Sequence, residues 1–224
     1  MMRSTSSKGE EAMERADREP FRNLLERNRV IPAVKDDAAM KKALHSSHDI
    51  IFLLYGDILT LDDHVNAVIR SGKTPFVHLD MINGLASNPV VLEYFYRHFK
   101  RNCGVITTKS NLAKKALELG IRVVQRYFML DSLSVGSAIE GIGKVRTDAI
   151  EVIPGIIPRV ISHIHRQTNA PIIAGGLINS ASDIEKILAS GAVAVSTSKN
   201  ELWPLNHELS VGKIQAEPDS EKKD

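Results

Sequence analysis

The sequence predicts an α/β fold: a TIM-like parallel (β/α) barrel of seven or eight units. Three observations support this prediction. Short apolar runs alternate with helical patterns along most of the chain, most of the runs are rich in Val and Ile, and glycines follow several of the helical patterns. Runs of this kind are typical of strands buried on both faces of a parallel sheet. Strand and helix in strict alternation favour a parallel sheet.

The apolar runs define eight candidate strands. Even phasing of eight units favours a closed barrel over an open doubly wound sheet. No G-x-G-x-x-G motif follows the first run, which weakens the nucleotide-binding open sheet further. The repeat is short for a barrel, so the sequence leaves open whether one unit is incomplete. The runs are Val30–Val34, Ile50–Tyr55, Pro75–Asp80, Gly104–Thr108, Arg122–Phe128, Ala149–Pro154, Pro171–Gly175 and Ala192–Ser198.

Helical patterns lie between these runs. They cover Asp37–Ser46, Leu61–Ser71, Pro89–Lys100, Asn111–Leu119, Leu133–Thr147, Pro158–Thr168 and Ser182–Ser190. Short helices are also predicted from Pro20 and at "KNELW". The spacings of Thr60 with Asp63 and of Ser182 with Glu185 predict capping boxes. Three patterns are followed by a glycine at the position of a C′ residue: Gly72, Gly120 and Gly191.

Composition predicts one soluble domain. The 224 residues are 43% hydrophobic and carry a formal net charge of +2. We expect a barrel domain over residues 20–206, a disordered extension over 1–19 and a loose tail over 207–224. The single Cys103 excludes an intramolecular disulfide, and no Cys or His cluster indicates a metal site. The longest apolar run, at 50–55, is far too short to span a bilayer, and no signal peptide is evident. We therefore expect a cytoplasmic protein without a membrane partner.

Charged residues stand at the ends of four neighbouring candidate strands: Asp80, Lys109, Arg126 and Glu151. Functional sites of parallel barrels form at the carboxyl ends of the strands. Each residue also has a structural interpretation, with Asp80 as a loop anchor and Glu151 paired with Arg126 or Lys109. His78 is predicted to point inward and to be a hydrogen-bonded interior histidine. Buried charges are costly unless paired, so their convergence on one mouth favours a binding site.

Two glycines end the seventh candidate strand, in "IIAGGLIN", and hydroxyls end the eighth, in "STSKN". The loops after strands seven and eight commonly form the phosphate site of such barrels. Glycines allow backbone N–H groups to approach phosphate oxygens. A tight turn and a Ser-Thr-Ser cap are the structural alternative. The sequence predicts a phosphate site made by Gly175, Gly176, Ser196, Thr197, Ser198 and Lys199.

Several segments resemble, in order, the glycerol uptake operon antiterminator regulatory proteins of bacteria. They are "IPAV", "FVHLDMINGL", "GVITTKSN", "VVQRYFMLDS", "IEVIPGIIP", "PIIAGGLI" and "AVAVSTSKNELW", and they span about residues 28 to 203. The resemblance implies a barrel that responds to glycerol 3-phosphate, as an effector and not a cofactor. It also implies binding to leader mRNA of glycerol-catabolic genes, so that transcription reads through a terminator. The predicted effector ligands are the charged residues Asp80, Lys109, Arg126 and Glu151, Gly155 of "IEVIPGIIP", and the six residues of the predicted phosphate site.

The RNA-contacting surface is weakly indicated by the sequence. There is no RNP-type aromatic motif and no GXXG loop. Basic residues cluster beside the third and fourth helical patterns, at Arg97, Lys100, Arg101, Lys114 and Lys115, although such clusters are commonly solvated helix faces.

Two other functions stay open on the sequence. One is a phosphosugar or glycerol-phosphate-handling barrel enzyme, with Asp80, Lys109 and Glu151 as acid, base and electrostatic partner. The other is a metabolite-binding partner of another protein that does not bind RNA. The regulator is favoured over the enzyme because "HLDMINGL" and "QRYFMLDS" match the family in detail. The oligomeric state is undetermined, and a homo-oligomer is compatible with the sequence.

Overall fold

Eight parallel strands close into a barrel in a computed structural model that describes residues 19–210. The strands follow one another around the barrel in chain order, and β1 pairs in parallel with β8 to complete the ring. The predicted fold class is confirmed, and all eight predicted strands are present. They are β1 Val30–Val34, β2 Ile50–Leu53, β3 Thr74–His78, β4 Gly104–Thr107, β5 Val123–Phe128, β6 Ala149–Ile153, β7 Ile172–Gly175 and β8 Ala194–Thr197.

Helices surround the strands and cover one end of the barrel. The α-helices of the described residues are α1 Phe21–Arg27, α2 Asp37–Leu44, α3 Leu61–Arg70, α4 Val90–Phe99, α5 Ser110–Glu118, α6 Ser132–Lys144, α7 Pro158–Gln167, α8 Ala181–Ala189 and α9 Leu205–Ser210. Short 3-10 helices follow β3 at Leu79–Met81 and β8 at Asn200–Leu202. Between residues 19 and 210, no helix combines the length and apolar character needed to cross a bilayer.

The predicted domain limits fall near the ends of the described residues. Of the predicted extension over 1–19 only Glu19 is described, and residues 1–18 lie outside the described residues. Of the predicted tail over 207–224, residues 211–224 lie outside them. Helix α9 runs from Leu205 to Ser210 and so crosses the predicted limit at 206.

Side chains alternate along each strand between the barrel interior and the helix layer. Val77 and Leu79 pack in the core between strands and helices, and Phe76 packs in the interior, as predicted from a period of two. The same alternation gives the interior its apolar filling: Ile31, Ala33, Ile50, Phe52, Phe76, Ile106, Val124, Ala149, Ile173 and Ala194.

The predicted capping box at Ser182 and Glu185 is wrong by two residues. Helix α8 begins earlier, and its N-cap is Ser180, whose hydroxyl accepts a hydrogen bond from the N–H of Asp183 at 3.1 Å. The Asp183 carboxylate accepts in turn from the N–H of Ser180 at 2.9 Å. Aspartate at the third helical position closes the box here as glutamate does elsewhere. Both Ser180 and Ser182 have an acidic residue three positions later, and the chain begins the helix at the earlier pair.

The other predicted box, at Thr60 and Asp63, is also absent. Thr60 makes no side-chain cap bond, because its hydroxyl hydrogen-bonds to Asp57 in the preceding turn. A box that the sequence analysis missed begins α6, where Asp131 and Ser134 cap each other. The three predicted C′ glycines are confirmed by positive φ angles of 78°, 70° and 107° at Gly72, Gly120 and Gly191.

Helix α1 closes the amino end of the barrel. The Phe21 ring stacks on Phe76 with a centroid separation of 5.1 Å, so the helix extends the interior core. Leu25 is fully buried beside it. The Arg122 guanidinium lies 5.3 Å from the Phe21 ring centroid on the other side, in cation–π geometry. The opposite, carboxyl end is left open.

We predict that Phe21→Ala lowers the free energy of unfolding by about 3–5 kcal/mol, because it leaves a cavity against Phe76. Arg22→Ala is the matched control on the same helix. It removes an exposed ion pair with Glu26, worth about 0.3–0.5 kcal/mol. Urea unfolding measures both. Equal stability of the two variants would show that α1 does not contribute to the barrel core.

Candidate functional site

A buried ion pair forms the floor of the open end of the barrel. The parallel register places Arg126 of β5 beside Glu151 of β6, and both point into the interior. Arg126 Nε donates to Glu151 Oε2 at 2.7 Å, and the two side chains are 8% and 1% exposed. The second carboxylate oxygen accepts from the hydroxyl of Ser196 on β8 at 2.6 Å. A partner for each oxygen stabilises the buried carboxylate, because an uncompensated charge in the interior is costly.

Gly175 and Gly155 make room for this network. A Cβ on Gly175 would lie 2.6 Å from Ser196 Oγ and 2.7 Å from Glu151 Oε1, which is too close for any side chain. A Cβ on Gly155 would lie 2.7 Å from the backbone nitrogen of Gly175. Gly155 N–H instead donates to the Gly175 carbonyl at 2.6 Å. Both glycines therefore serve close packing around the ion pair.

Gly176 has a different role. Its φ of +80° lies in the left-handed region, where a side chain is disfavoured. Leu177 follows with a φ of +61° and is 65% exposed. Two consecutive left-handed residues turn the chain sharply away from β7 and present its backbone at the open end.

A cavity of about 360 Å³ lies above the ion pair, within the size range of small-molecule sites. We call it the mouth cavity. Seven predicted ligand residues line it: Arg126, Glu151, Gly176, Ser196, Thr197, Ser198 and Lys199. Thr197 also caps the turn that follows β8, since its hydroxyl accepts from the N–H of Lys199 at 3.2 Å. This hydrogen bond supports the structural interpretation of the segment, and the phosphate site stays a prediction.

Lys35 and Asn179 also line the mouth cavity and were missed by the sequence analysis. Lys35 directly follows β1, two positions after the interior residue Ala33. The alternation that places Phe76 inward also places Lys35 on the interior side, but the sequence analysis considered polar residues only from the third strand onward. The cavity therefore has lysines on two neighbouring strand ends, Lys35 after β1 and Lys199 after β8.

Asp80 and Lys109 do not line the mouth cavity. Asp80 lies in the 3-10 turn after β3, and its Oδ2 accepts from the N–H of Thr108 at 2.8 Å. Lys109 Nζ lies 3.5 Å from Asp80 Oδ1 and donates to Ser87 Oγ. Burial raises the pKa of Asp80, but the Thr108 bonds, His78 and Lys109 lower it by more, so the net shift is downward. The four charged residues were predicted to converge on one mouth. They form two neighbouring pairs instead, Arg126 with Glu151 and Asp80 with Lys109.

His78 lies in the interior beneath Asp80 and is only 2% exposed. Neither ring nitrogen has a hydrogen-bond partner among the described residues, and Nδ1 is 4.0 Å from Asp80 Oδ2. The prediction of a hydrogen-bonded histidine is wrong, because the nearest carboxylate is engaged with Thr108. Burial and the Arg126 charge lower the pKa of His78 to about 4, against a smaller opposing effect of Asp80. The neutral imidazole thus offers one donor and one acceptor beside the ion pair.

The predicted RNA-contacting residues lie away from the mouth cavity. Arg97 and Lys114 are exposed on α4 and α5, and Lys100 follows α4. Lys115 pairs with Glu93 at 3.2 Å, and the Arg101 side chain packs against Gly120. No group of three or more His, Cys, Asp or Glu side chains among residues 19–210 could hold a metal ion.

We predict that His78 makes the protein less stable in mild acid. The unfolded chain protonates this histidine below about pH 6.5 and the folded chain only near pH 4, so stability is lost as the pH falls between these values. The limiting slope is about 1.4 kcal/mol per pH unit, or about 3 kcal/mol in all. Urea unfolding of the protein and of His78→Gln across this range measures it. Burial also lowers the pKa of His48, but His48 contributes equally to the pH dependence of the protein and of His78→Gln. Parallel pH profiles would contradict the prediction.

Comparison with known proteins places this geometry in a family. Residues 30–203 match the family described as "Glycerol-3-phosphate responsive antiterminator". The chain is similar to the glycerol uptake operon antiterminator regulatory protein of Listeria monocytogenes, with 32% identity, a TM-score of 0.74, and coverage of 78% of this chain and 94% of that one. A glycerol uptake operon antiterminator-related protein of Thermotoga maritima gives 33% identity and a TM-score of 0.69, and covers 78% and 97%.

A third relative is the uncharacterized protein YgcP of Escherichia coli K12. It is 33% identical over 190 residues, which cover 85% of this chain and 99% of YgcP. The family match spans all eight strands and every residue that lines the mouth cavity. The chain therefore belongs to the glycerol-3-phosphate responsive antiterminator family.

Proposed function

We propose that this protein binds glycerol 3-phosphate in the mouth cavity and, in response, binds leader mRNA of glycerol-catabolic genes as a transcription antiterminator in the cytoplasm. The observation that carries the proposal is the mouth cavity itself. A glycine turn, a hydroxyl and two lysines surround its rim, and a buried polar network forms its floor. The family description, a glycerol-3-phosphate responsive antiterminator, supports the choice of effector and of a role in antitermination. Leader mRNA as the partner is part of the proposal.

The rim suits the phosphate. Gly176 and Leu177 present backbone at the open end, and Ser198 adds an exposed hydroxyl. Lys35 and Lys199 add positive charge from the neighbouring ends of β1 and β8. Backbone N–H groups, a hydroxyl and lysines are the common ligands of phosphate oxygens. We therefore place the phosphate between the loops after β7 and β8.

The floor suits the glycerol hydroxyls. Glu151 has lone pairs beyond those that accept from Arg126 and Ser196, and it lines the cavity. His78, unpartnered beside Arg126, is a second group that a hydroxyl could satisfy. Asp80 was predicted to be an effector ligand, and we propose instead that it acts through its charge on Lys109, 3.5 Å away, and on His78, 4.0 Å away, without direct contact with the effector.

An enzyme of phosphosugars remains the second candidate. The observation that favours it is the cluster of Asp80, Lys109 and His78 beside the cavity, since a lysine and a carboxylate at 3.5 Å could serve acid–base chemistry. Incubation with glycerol 3-phosphate followed by ³¹P NMR separates the two candidates. The regulator returns the ligand unchanged, whereas the enzyme changes the phosphorus spectrum.

We predict that glycerol 3-phosphate stabilises the fold and glycerol does not. A ligand that binds only the native state adds about 2.7 kcal/mol at one hundred times its Kd. Thermal melts with millimolar glycerol 3-phosphate, glycerol or inorganic phosphate test the ligand. A gel shift of a leader RNA from a glycerol-catabolic gene, with and without the ligand, tests the regulatory function. A rise in melting temperature that is equal with glycerol would contradict the proposed effector. A leader RNA whose mobility in the gel never changes would contradict the proposed RNA binding.

We predict that Gly176→Val abolishes effector binding and leaves the barrel folded, because the side chain enters the space assigned to the phosphate. Gly72→Val is the matched control. Gly72 has nearly the same φ, +78°, and a Cβ there meets nothing within 4 Å. Both variants carry a similar backbone cost of about 1–2 kcal/mol. Calorimetry should show normal binding only for Gly72→Val, and normal binding by folded Gly176→Val would assign this glycine to the turn alone.

We predict that Glu151→Gln weakens both effector binding and stability. The lost charge-assisted bonds to the effector are worth about 1.5–3 kcal/mol, and the uncompensated Arg126 costs about 3–5 kcal/mol of stability. Replacing both partners, as Arg126→Met with Glu151→Gln, should recover stability but not binding. Asp80→Asn should weaken binding less than Glu151→Gln. Calorimetry and urea unfolding measure the set, and unchanged affinity in all three proteins would reduce the network to a structural ion pair.

A further inference from the structure

Helices α6 and α7 pack side by side and leave a groove between them, which we call the α6–α7 seam. A depression of about 630 Å³ lies at its upper end, nearer the mouth cavity, and one of about 370 Å³ lies at its lower end. Three basic side chains of α7 line the upper depression: Arg159, His163 and Arg166. Arg146, after α6, lines the lower one. The seam is thus edged by basic groups over its whole length.

The charge of the seam is unbalanced. Helix α7 contains two arginines, two histidines and no acidic residue. Within residues 19–210, neither Arg159 nor Arg166 lies within 4.0 Å of a carboxylate, and each is exposed. The carboxylate that lines the upper depression, Asp131, is occupied by the N–H of Ser134 at 2.8 Å. Glu140, on α6, is paired with Lys144 at 3.6 Å.

The spacing of the basic side chains forms a row. Positions 159, 163 and 166 are four and three residues apart, so they share one face of the helix. At 1.5 Å per residue the row is about 10 Å long. By contrast, the predicted RNA-contacting cluster on α4 and α5 includes a lysine already paired with Glu93.

The floor of the seam is apolar and partly without side chains. Val135 and Val160 line the upper depression, and Ile139 and Ile142 line the lower one. Gly136 and Gly143 stand on α6 at the two ends, and a Cβ on either would meet nothing within 4 Å. A flat group can therefore approach the helix closely. Sites for single-stranded nucleic acids place the phosphates along a positively charged groove and stack the bases on aromatic side chains. In the seam the basic edge supplies the groove, and the aliphatic floor offers apolar contact to the bases in place of aromatic stacking.

We propose that the α6–α7 seam binds a single-stranded segment of RNA, with its phosphates on Arg159 and Arg166 and its bases over Val135, Gly136 and Val160. This inference rests on the proposed function for RNA as the partner, and it locates the contact surface. The charge of α7 selects an anionic partner, and the apolar floor distinguishes a nucleic acid from a simple anion.

One loop joins the seam to the mouth cavity. Ile153 lines the mouth cavity and Ile157 lines the upper depression, so three residues separate the two sites along the chain. Between them, Gly155 is bonded to the carbonyl of Gly175 at 2.6 Å. An effector packed on Ile153 contacts the loop that leads directly into α7. The seam is therefore placed to respond to the effector.

The test compares two pairs of basic residues. Arg159→Gln with Arg166→Gln removes the seam charges, and Arg97→Gln with Lys114→Gln removes the same number from the α4–α5 cluster. The Kd for a fluorescent leader RNA is measured by anisotropy across a salt series with glycerol 3-phosphate present. The seam variant should bind about tenfold or more weakly, and the log–log salt slope should fall by about 1.4 for two lost phosphate contacts. The control variant should stay within about twofold of the parent.

A second seam variant has little folding cost, since Gly136→Glu extends into open space. It should also weaken RNA binding, and Gly136→Gln should do so less. Unchanged melting shifts with glycerol 3-phosphate confirm that each variant is folded. Loss of RNA binding in the α4–α5 variant alone overturns the seam and keeps the proposed function. A parent protein that binds no leader RNA overturns both. Seam variants that bind RNA normally but change the mass of the assembly in solution would assign the seam to contact between copies.

Discussion

The ion pair between Arg126 and Glu151 is the interaction on which the open end of this barrel depends. Charges inside a barrel are costly unless they are paired, and the register of β5, β6 and β8 gives each carboxylate oxygen of Glu151 a partner, Arg126 for one and Ser196 for the other. The space that the carboxylate occupies leaves no room for a side chain on Gly175, and Gly155 must then approach the same backbone. One pair of charges thus dictates two glycines, a hydroxyl and the floor of the cavity.

The fold was predictable because its causes are local. Val- and Ile-rich strands and the alternation of strand and helix follow from residue type and spacing, and the period of two placed Phe76 correctly. The site was predictable only in part. The strand end that bears Asp80 turns into a 3-10 helix, which the period of two cannot foresee. Asp80 there pairs with Lys109, which follows β4, and neither residue lines the cavity. The isolation of His78 depends on which donors Asp80 accepts, a property of three-dimensional packing. Lys35 follows the alternation of inward and outward side chains, but the first strand was not considered in the sequence analysis.

The two adjacent glycines in "IIAGGLIN" have different surroundings, and the proposed function gives only the second a role in effector binding. Gly175 points inward against the carboxylate, and its replacement would disrupt the fold. Gly176, with a φ of +80°, lines the mouth cavity, and a Cβ there would lie 3.3 Å from Ile153 Cγ2 and 3.9 Å from Pro154 Cα. The proposed function requires a rigid floor that does not move with the ligand and a rim whose loops can move. The loop through Ile153 leads from this rim to α7, which is the connection that the proposed response of the seam to the effector uses.

The structure of the complex with glycerol 3-phosphate tests the central claim most directly. The account predicts the phosphate between Gly176 and Ser198, within reach of Lys35 and Lys199, with the hydroxyls directed at Glu151 and an unbroken ion pair below them. A ligand bound in the opposite orientation, or one that separates Arg126 from Glu151, would contradict the role of the ion pair as a fixed floor. A ligand found outside the mouth cavity would contradict the site itself.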